Sequence, residues 1–208
     1  MVVSLAVVVA TLAAIALVGL GGEVIERGLP GIDRALRRLV GENKSQVLDV
    51  VLGGITWLGE TAVLVPLTLL VALLLWRRKE RVAVPTVLAP LAAALLSNSL
   101  KDVLRVGRPP STEAAGLGYS FPSGHATAAT AVWLTLTWVL AREGIVGRWA
   151  HVAGPLVVLL VGVSRVYLDA HWASDVAGGW IGGLAIAAAC IAVYELSRVR
   201  WARGGAGR

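Results

Sequence analysis

The chain has 208 residues, 57% of them hydrophobic and 15% charged, with a mean hydropathy of +0.76. Soluble domains carry roughly 25% charged residues, so this composition excludes an ordinary water-soluble globule and places the chain in a bilayer. The formal net charge of +6 is compatible with a nucleic-acid partner by its size alone, and the single cysteine, Cys190, excludes an intramolecular disulfide.

About 20 apolar residues cross a bilayer as a helix. Apolar runs predict six such spans, at 2–20, roughly 55–76, 82–104, 124–141, 149–167 and 173–196. The expected fold is therefore all-α, a polytopic membrane protein forming one compact domain over residues 1–208. A cleaved signal peptide needs a positive n-region and a small-residue cleavage site; residues 2–20 show neither, so the first span reads as a retained helix. Residues 23–44 are charged and broken by Gly28, Pro30 and Gly31. With 47–52 they predict an interfacial segment, 23–52, of short amphipathic helices on the membrane surface. The GGAGR ending predicts a flexible tail over 202–208.

Six spans put both termini on one side. One set of loops and ends holds Arg77, Arg78, Lys79, Arg81, Arg142, Arg148, Arg198, Arg200, Arg203 and Arg208, almost purely basic. The other side mixes Arg27, Arg34, Arg37, Arg38 and Lys44 with Glu23, Glu26, Asp33, Glu42 and Asp49. Short basic loops stay inside, which makes the first set and both termini cytoplasmic. The positive charge is thus a topology signal and not a nucleic-acid footprint. Segments 101–121 and 168–173 then fall together on the outer side.

The third span ends SNSLKDVLRVGRP. Asn98, Lys101, Arg105 and Arg108 recur at three- and four-residue intervals, predicting a polar stripe on one helix face that Pro109 and Pro110 terminate. Snorkelling cations at a helix end are the plain alternative; Lys101, two turns inside, argues for function, as intramembrane ionisable groups do. The next span opens YSFPSGHATAAT. Pro122 suits a first helical turn, Ser123 can cap it, and the N–H groups of Gly124 and His125 offer an anion site. Alone this is a capped helix with an incidental histidine; beside the cationic stripe it is an anion pocket with a titratable group.

In SRVYLDAHWASD, His171 and Asp175 are four residues apart. If the last helix begins near His171, the carboxylate accepts the Nδ1 proton and leaves Nε2 bare as base or nucleophile. Arg165 adds a planar fork suited to phosphate oxygens. Asp169 reads as a turn residue, and a plain His–Asp helix cap is the bland alternative. The convergence of cations with two histidines, and of no ligand cluster at metal-binding spacing, points to a phosphate ester attacked by one histidine while the other protonates the leaving group. No cofactor is expected.

Lys101-x6-Arg108-Pro109, Pro122-Ser123-Gly124-His125 and Ser164-Arg165-x5-His171-x3-Asp175 resemble the three signature motifs of the type 2 phosphatidic acid phosphatase (lipid phosphate phosphatase) superfamily, in its bacterial membrane-bound branch. The resemblance implies a metal-independent phosphatase with a phosphohistidine intermediate. It makes His171 the nucleophile, Asp175 its orienting partner and His125 the general acid. Lys101, Arg108, Ser123, Gly124 and Arg165 would hold the phosphoryl oxygens; Arg105 lies outside the motif. Expected partners are a lipid phosphate or pyrophosphate (polyprenyl diphosphate, phosphatidylglycerophosphate or phosphatidic acid) and membrane lipids, with no nucleic acid and no obligate protein partner. The expected location is the cytoplasmic membrane, active site outward. A transporter or flippase binding phosphorylated lipid is the rival, disfavoured because binding alone needs no His–Asp pair; a vanadate-binding oxidase is disfavoured by the spans.

Away from the motifs, Gly178, Gly179, Gly182 and Gly183 form overlapping small-xxx-small pairs that suit close packing within the bundle more than a dimer. Trp57, Trp76, Trp149 and Trp172 fall near span ends, as in an interfacial belt. His151 reads as an interfacial residue at the cytoplasmic end of the fifth span.

Overall fold

The computed structural model describes residues 1–27, 31–76, 80–111 and 116–205, and these are helical with no strand. The helices are α1 (Val2–Arg27), α2 (Gly31–Glu42), α3 (Gln46–Ile55), α4 (Thr61–Trp76), α5 (Glu80–Leu104), α6 (Gly124–Arg142), α7 (Ala150–Tyr167) and α8 (Ala173–Gly205), with a 3-10 turn at Thr56–Gly59 between α3 and α4. Among the described residues, four helices are long and apolar enough to cross a membrane, or five if α3 and α4, bent by 47° at the turn, count as one span. The expected second span thus splits at Thr56–Gly59. Glu60 is extended there (φ −76, ψ 131) and breaks the helical path. The tail predicted over 202–208 is helical as far as Gly205. The basic stretch 77–79 lies outside the described residues.

α6 has the length of a span but less apolarity, and its surroundings give the reason. Residues 126–132, alanines, threonines and one valine, are all buried, because α6 packs against α5, α7 and α8. Small side chains let neighbouring backbones approach where lipid would call for bulk. A Cβ on Gly179 would meet Ser123 O at 2.8 Å, and one on Gly183 would meet Thr127 O at 2.6 Å. Gly179 and Gly183 therefore seat α8 on α6 inside the bundle. On the outside, Leu5, Leu12 and Ile15 of α1 and Leu73 of α4 are exposed, an arrangement that suits hydrocarbon rather than water.

α2 departs from a helix merely resting on a surface. Asp33 is buried and accepts from Ser174 N (2.9 Å) and Ser174 Oγ (2.6 Å), so it caps the start of α8. Arg37 forks onto Asp169 at 2.8 and 2.9 Å. Asp169 sits at φ 56 in the turn before α8, which accords with its expected turn role and adds an ion pair. Trp172 is buried, donates to Gly107 O at 2.9 Å and lies under Arg37. It is no belt residue, unlike the exposed Trp57, Trp76 and Trp149.

Candidate active site

His171 lies just before α8, and its Nδ1 is 3.1 Å from Asp175 Oδ2 with both side chains buried. The carboxylate is itself fixed: Oδ2 accepts from Trp172 N at 2.9 Å and Oδ1 from Ser120 Oγ at 3.2 Å. On the other ring edge, Arg108 Nη1 is 3.0 Å from Nε2. A guanidinium only donates, so Nε2 accepts, and Nδ1 carries the proton that Asp175 receives. The two partners thus select one neutral tautomer with its lone pair on Nε2. Burial holds the imidazole well below its ordinary pKa of 6.5, and the charges of Arg108, Arg165 and Lys101 act the same way.

The helix signals converge on this ring, though not by the expected stripe. α5 ends at Leu104, and Arg105 adopts φ 50, so the chain leaves the helix before Pro109 and Pro110 are reached. Arg105 then turns outward and exposed, bonded to Asp102 O, and Asn98 is exposed as well. The residue sharing the inner face with Lys101 is Ser97: a Cβ on Gly124 would stand 3.5 Å from Lys101 Nζ and 3.9 Å from Ser97 Oγ. Arg108 arrives from the loop, its guanidinium held by Leu117 O (3.0 Å), Gly118 O (2.9 Å) and Ala170 O (2.8 Å).

Pro122 precedes the α6 cap instead of lying in the first turn. Ser123 is the N-cap, its Oγ a long 3.5 Å from Ala126 N, while its own N–H bonds to Asp175 O at 2.9 Å. The amide end of α6 is thereby tied to α8. Arg165 reaches in from α7 and bonds to Thr56 Oγ1 at 3.0 Å. His125, in the first turn of α6, has Nε2 2.9 Å from Glu60 Oε2. All of Lys101, Arg108, Ser123, Gly124, His125, Arg165, His171 and Asp175 therefore meet around one end of the bundle.

Four contributors were not singled out in the sequence: Glu60, Ser120, Asp33 and Arg37. Glu60 alone had a visible signal, a lone carboxylate in the apolar context WLGETAVL. His151 packs edge-on against Trp138, with ring centroids 5.5 Å apart at the far end of α6. An apolar cleft of about 450 Å³ lined by Leu69, Leu73, Trp76, Val84 and Leu88 also opens at that far end, away from these polar groups. Among the described residues no three His, Cys, Asp or Glu side chains gather as metal ligands.

Residues 82–198 match the PAP2 superfamily. The chain belongs to that superfamily. As a member it is a membrane phosphatase, which decides against the non-hydrolytic transporter. Relatives include an undecaprenyl-diphosphatase of Sulfolobus acidocaldarius, 29% identical over 160 residues (74% of each chain), and phosphatidylglycerophosphatase B of Bacillus subtilis, 32% identical over 146 residues (66% of this chain, 70% of the relative). The fold resembles the crystal structure of the transmembrane PAP2-type phosphatidylglycerolphosphate phosphatase from Bacillus subtilis, with a TM-score of 0.81 at 24% identity, covering 88% of this chain and 94% of that one. It also resembles LpxE of Aquifex aeolicus, with a TM-score of 0.62 at 25% identity, covering 78% of this chain and 96% of that one.

Proposed function

We propose that this PAP2 chain is a six-span lipid phosphate phosphatase of the cytoplasmic membrane, one domain with its site facing outward, working through a phosphohistidine on His171 without a metal. In this reading α3 and α4 together make one bent span and α6 the sixth. The observation that carries the mechanism is the fixed tautomer of His171, neutral with its lone pair on Nε2, under a cluster of cations.

Arg108 Nη1 donates to that lone pair at 3.0 Å. An entering phosphoryl group offers the guanidinium stronger, charged acceptors, and as Arg108 swings onto them Nε2 is released. Lys101, Arg108 and Arg165, with Ser123 Oγ and the Gly124 N–H at the α6 terminus, hold the phosphoryl oxygens and stabilise the charge that grows on them. Nε2 attacks phosphorus; the N–P bond forms as the P–O bond to the lipid breaks, and His125 gives its proton to the departing oxygen. Asp175 keeps the Nδ1 proton and balances the cationic phosphorylated ring. Water then attacks phosphorus while His125 takes its proton, the N–P bond breaks, and inorganic phosphate leaves.

The names of the relatives support a polyprenyl diphosphate or phosphatidylglycerophosphate as substrate, with phosphatidic acid a third of the same chemistry. Phosphate release from a panel of these lipids in detergent, with excess chelator present, tests the reading. Turnover should persist and vanadate should inhibit it. Loss of turnover on chelation, restored by Mg²⁺, contradicts it.

A further inference from the structure

The 3-10 turn between α3 and α4 touches the catalytic end of the bundle through Thr56, Leu58 and Gly59. Thr56 receives Arg165 Nη1 at 3.0 Å. Leu58 O receives the indole N–H of Trp133, on α6, at 2.8 Å. Gly59 is buried against α6 so closely that a Cβ there would stand 3.1 Å from His125 O and 3.3 Å from His125 Cβ. Glu60 follows, its Oε1 taken by Thr61 N at 3.1 Å and its Oε2 by His125 Nε2 at 2.9 Å. One carboxylate arm is thus fixed to the start of α4 while the other meets the histidine.

We propose that Glu60 is the positioning residue for His125, pairing with its Nε2 and so assigning Nδ1 as the nitrogen that serves the leaving group. The pairing mirrors the other dyad: Asp175 meets Nδ1 of His171 and leaves Nε2 as the working nitrogen, while Glu60 meets Nε2 of His125 and leaves Nδ1 for that role. This inference rests on the general-acid reading of His125. Without Glu60, the charged and titratable groups facing His125 are Arg165, Lys101 and His171, none of which favours an imidazolium. A carboxylate at Nε2 opposes them, and in this proposal the proton for the departing oxygen is the one carried at Nδ1. In the first step that proton passes from Nδ1 to the oxygen as the P–O bond breaks; in the second, Nδ1 takes one from water. Glu60 keeps its charge throughout.

The test uses the full-length enzyme in detergent with two substrates, an alkyl lipid monophosphate and nitrophenyl phosphate, and the variants Glu60→Gln, Glu60→Asp and His125→Ala. Glutamine keeps an oxygen for Thr61 N and removes only the charge. A general acid is worth roughly 10²–10⁴-fold for a basic leaving group. Glu60→Gln should therefore lower kcat on the lipid by about 10-fold and on nitrophenyl phosphate by less than about 2-fold. The alkaline limb of the lipid profile should move down by about one pH unit, and Glu60→Asp should recover part of both losses. If Glu60→Gln does not fold, Glu60→Asp decides alone: a displaced limb with leaving-group-dependent loss supports the pairing. Equal losses on both substrates with an unmoved limb make Glu60 a structural residue and overturn the proposal. His125→Ala separates the two claims. If its own defect is the same for both leaving groups, the general-acid reading falls and this inference falls with it; if only Glu60→Gln lacks the discrimination, the inference alone fails.

Discussion

The imidazole of His171 titrates below its ordinary range because it is buried among cations, and this has two consequences of definite sign. In its proposed role as nucleophile it stays neutral through pH 6.5, the ordinary value, so activity should not show an acid limb there from this residue. For stability, the unfolded chain takes up a proton near pH 6.5 that the folded one does not, so stability is lost as pH falls from there toward the folded value. His171→Ala should flatten that dependence, as measured by thermal unfolding in detergent between pH 7 and pH 5. Asp175→Asn offers an amide N–H to Nδ1 and selects the opposite tautomer, so kcat should fall by roughly 10⁴-fold with little change in KM. His171 and Asp175 were legible in the sequence because their pairing is local, one turn apart at a helix start. Glu60 was not, because only the three-dimensional meeting of the 3-10 turn with α6 gives it a partner. Arg105 misled for a related reason: its four- and three-residue spacing from Lys101 and Arg108 looks helical, but the backbone turns to φ 50 there.

Among the elements, α2 and the 3-10 turn do what periodicity could not announce. Hydrophobic pattern identified α2 as amphipathic, yet its buried Asp33 caps α8, the helix that begins just after His171. Asp33→Ala leaves Ser174 N without that acceptor, and should cost about 1–3 kcal/mol and lower kcat by loosening the His171 turn. Thermal stability and phosphate release of the variant check both, and an unchanged melting temperature counts against the cap. At the turn, a Cβ on Gly59 would come within 2.6 Å of Val161 Cγ1. Gly59→Ala should therefore destabilise by about 1–3 kcal/mol and displace His125. Helix existence was largely readable, because apolar runs bounded by charge or proline have no other use in a bilayer. The break at Thr56–Gly59 was not readable, since Gly53, Gly54 and Gly59 are equally at home in a continuous span.

For the molecule as a whole, charge placement carries the proposed orientation. The basic stretch 77–81 should face the cytoplasm and the loop around Leu117 the outside. Cys190 is buried, so introduced cysteines can be read against a quiet background. From outside intact cells, a membrane-impermeant maleimide should label Leu117→Cys and spare Lys79→Cys; the reverse pattern inverts the topology. The bundle explains why the site lies at one end: α5, α6, α7 and α8 each bring one motif residue or more to the same end.

A covalent bond from phosphorus to His171 can be trapped by rapid acid-free quenching after mixing with ³²P-labelled lipid phosphate. The wild-type enzyme should carry a transient phosphoryl group that is stable to base and labile to acid, on the peptide containing His171, and His171→Ala should carry none. Label on another residue, or turnover by His171→Ala at the wild-type rate, would contradict the account.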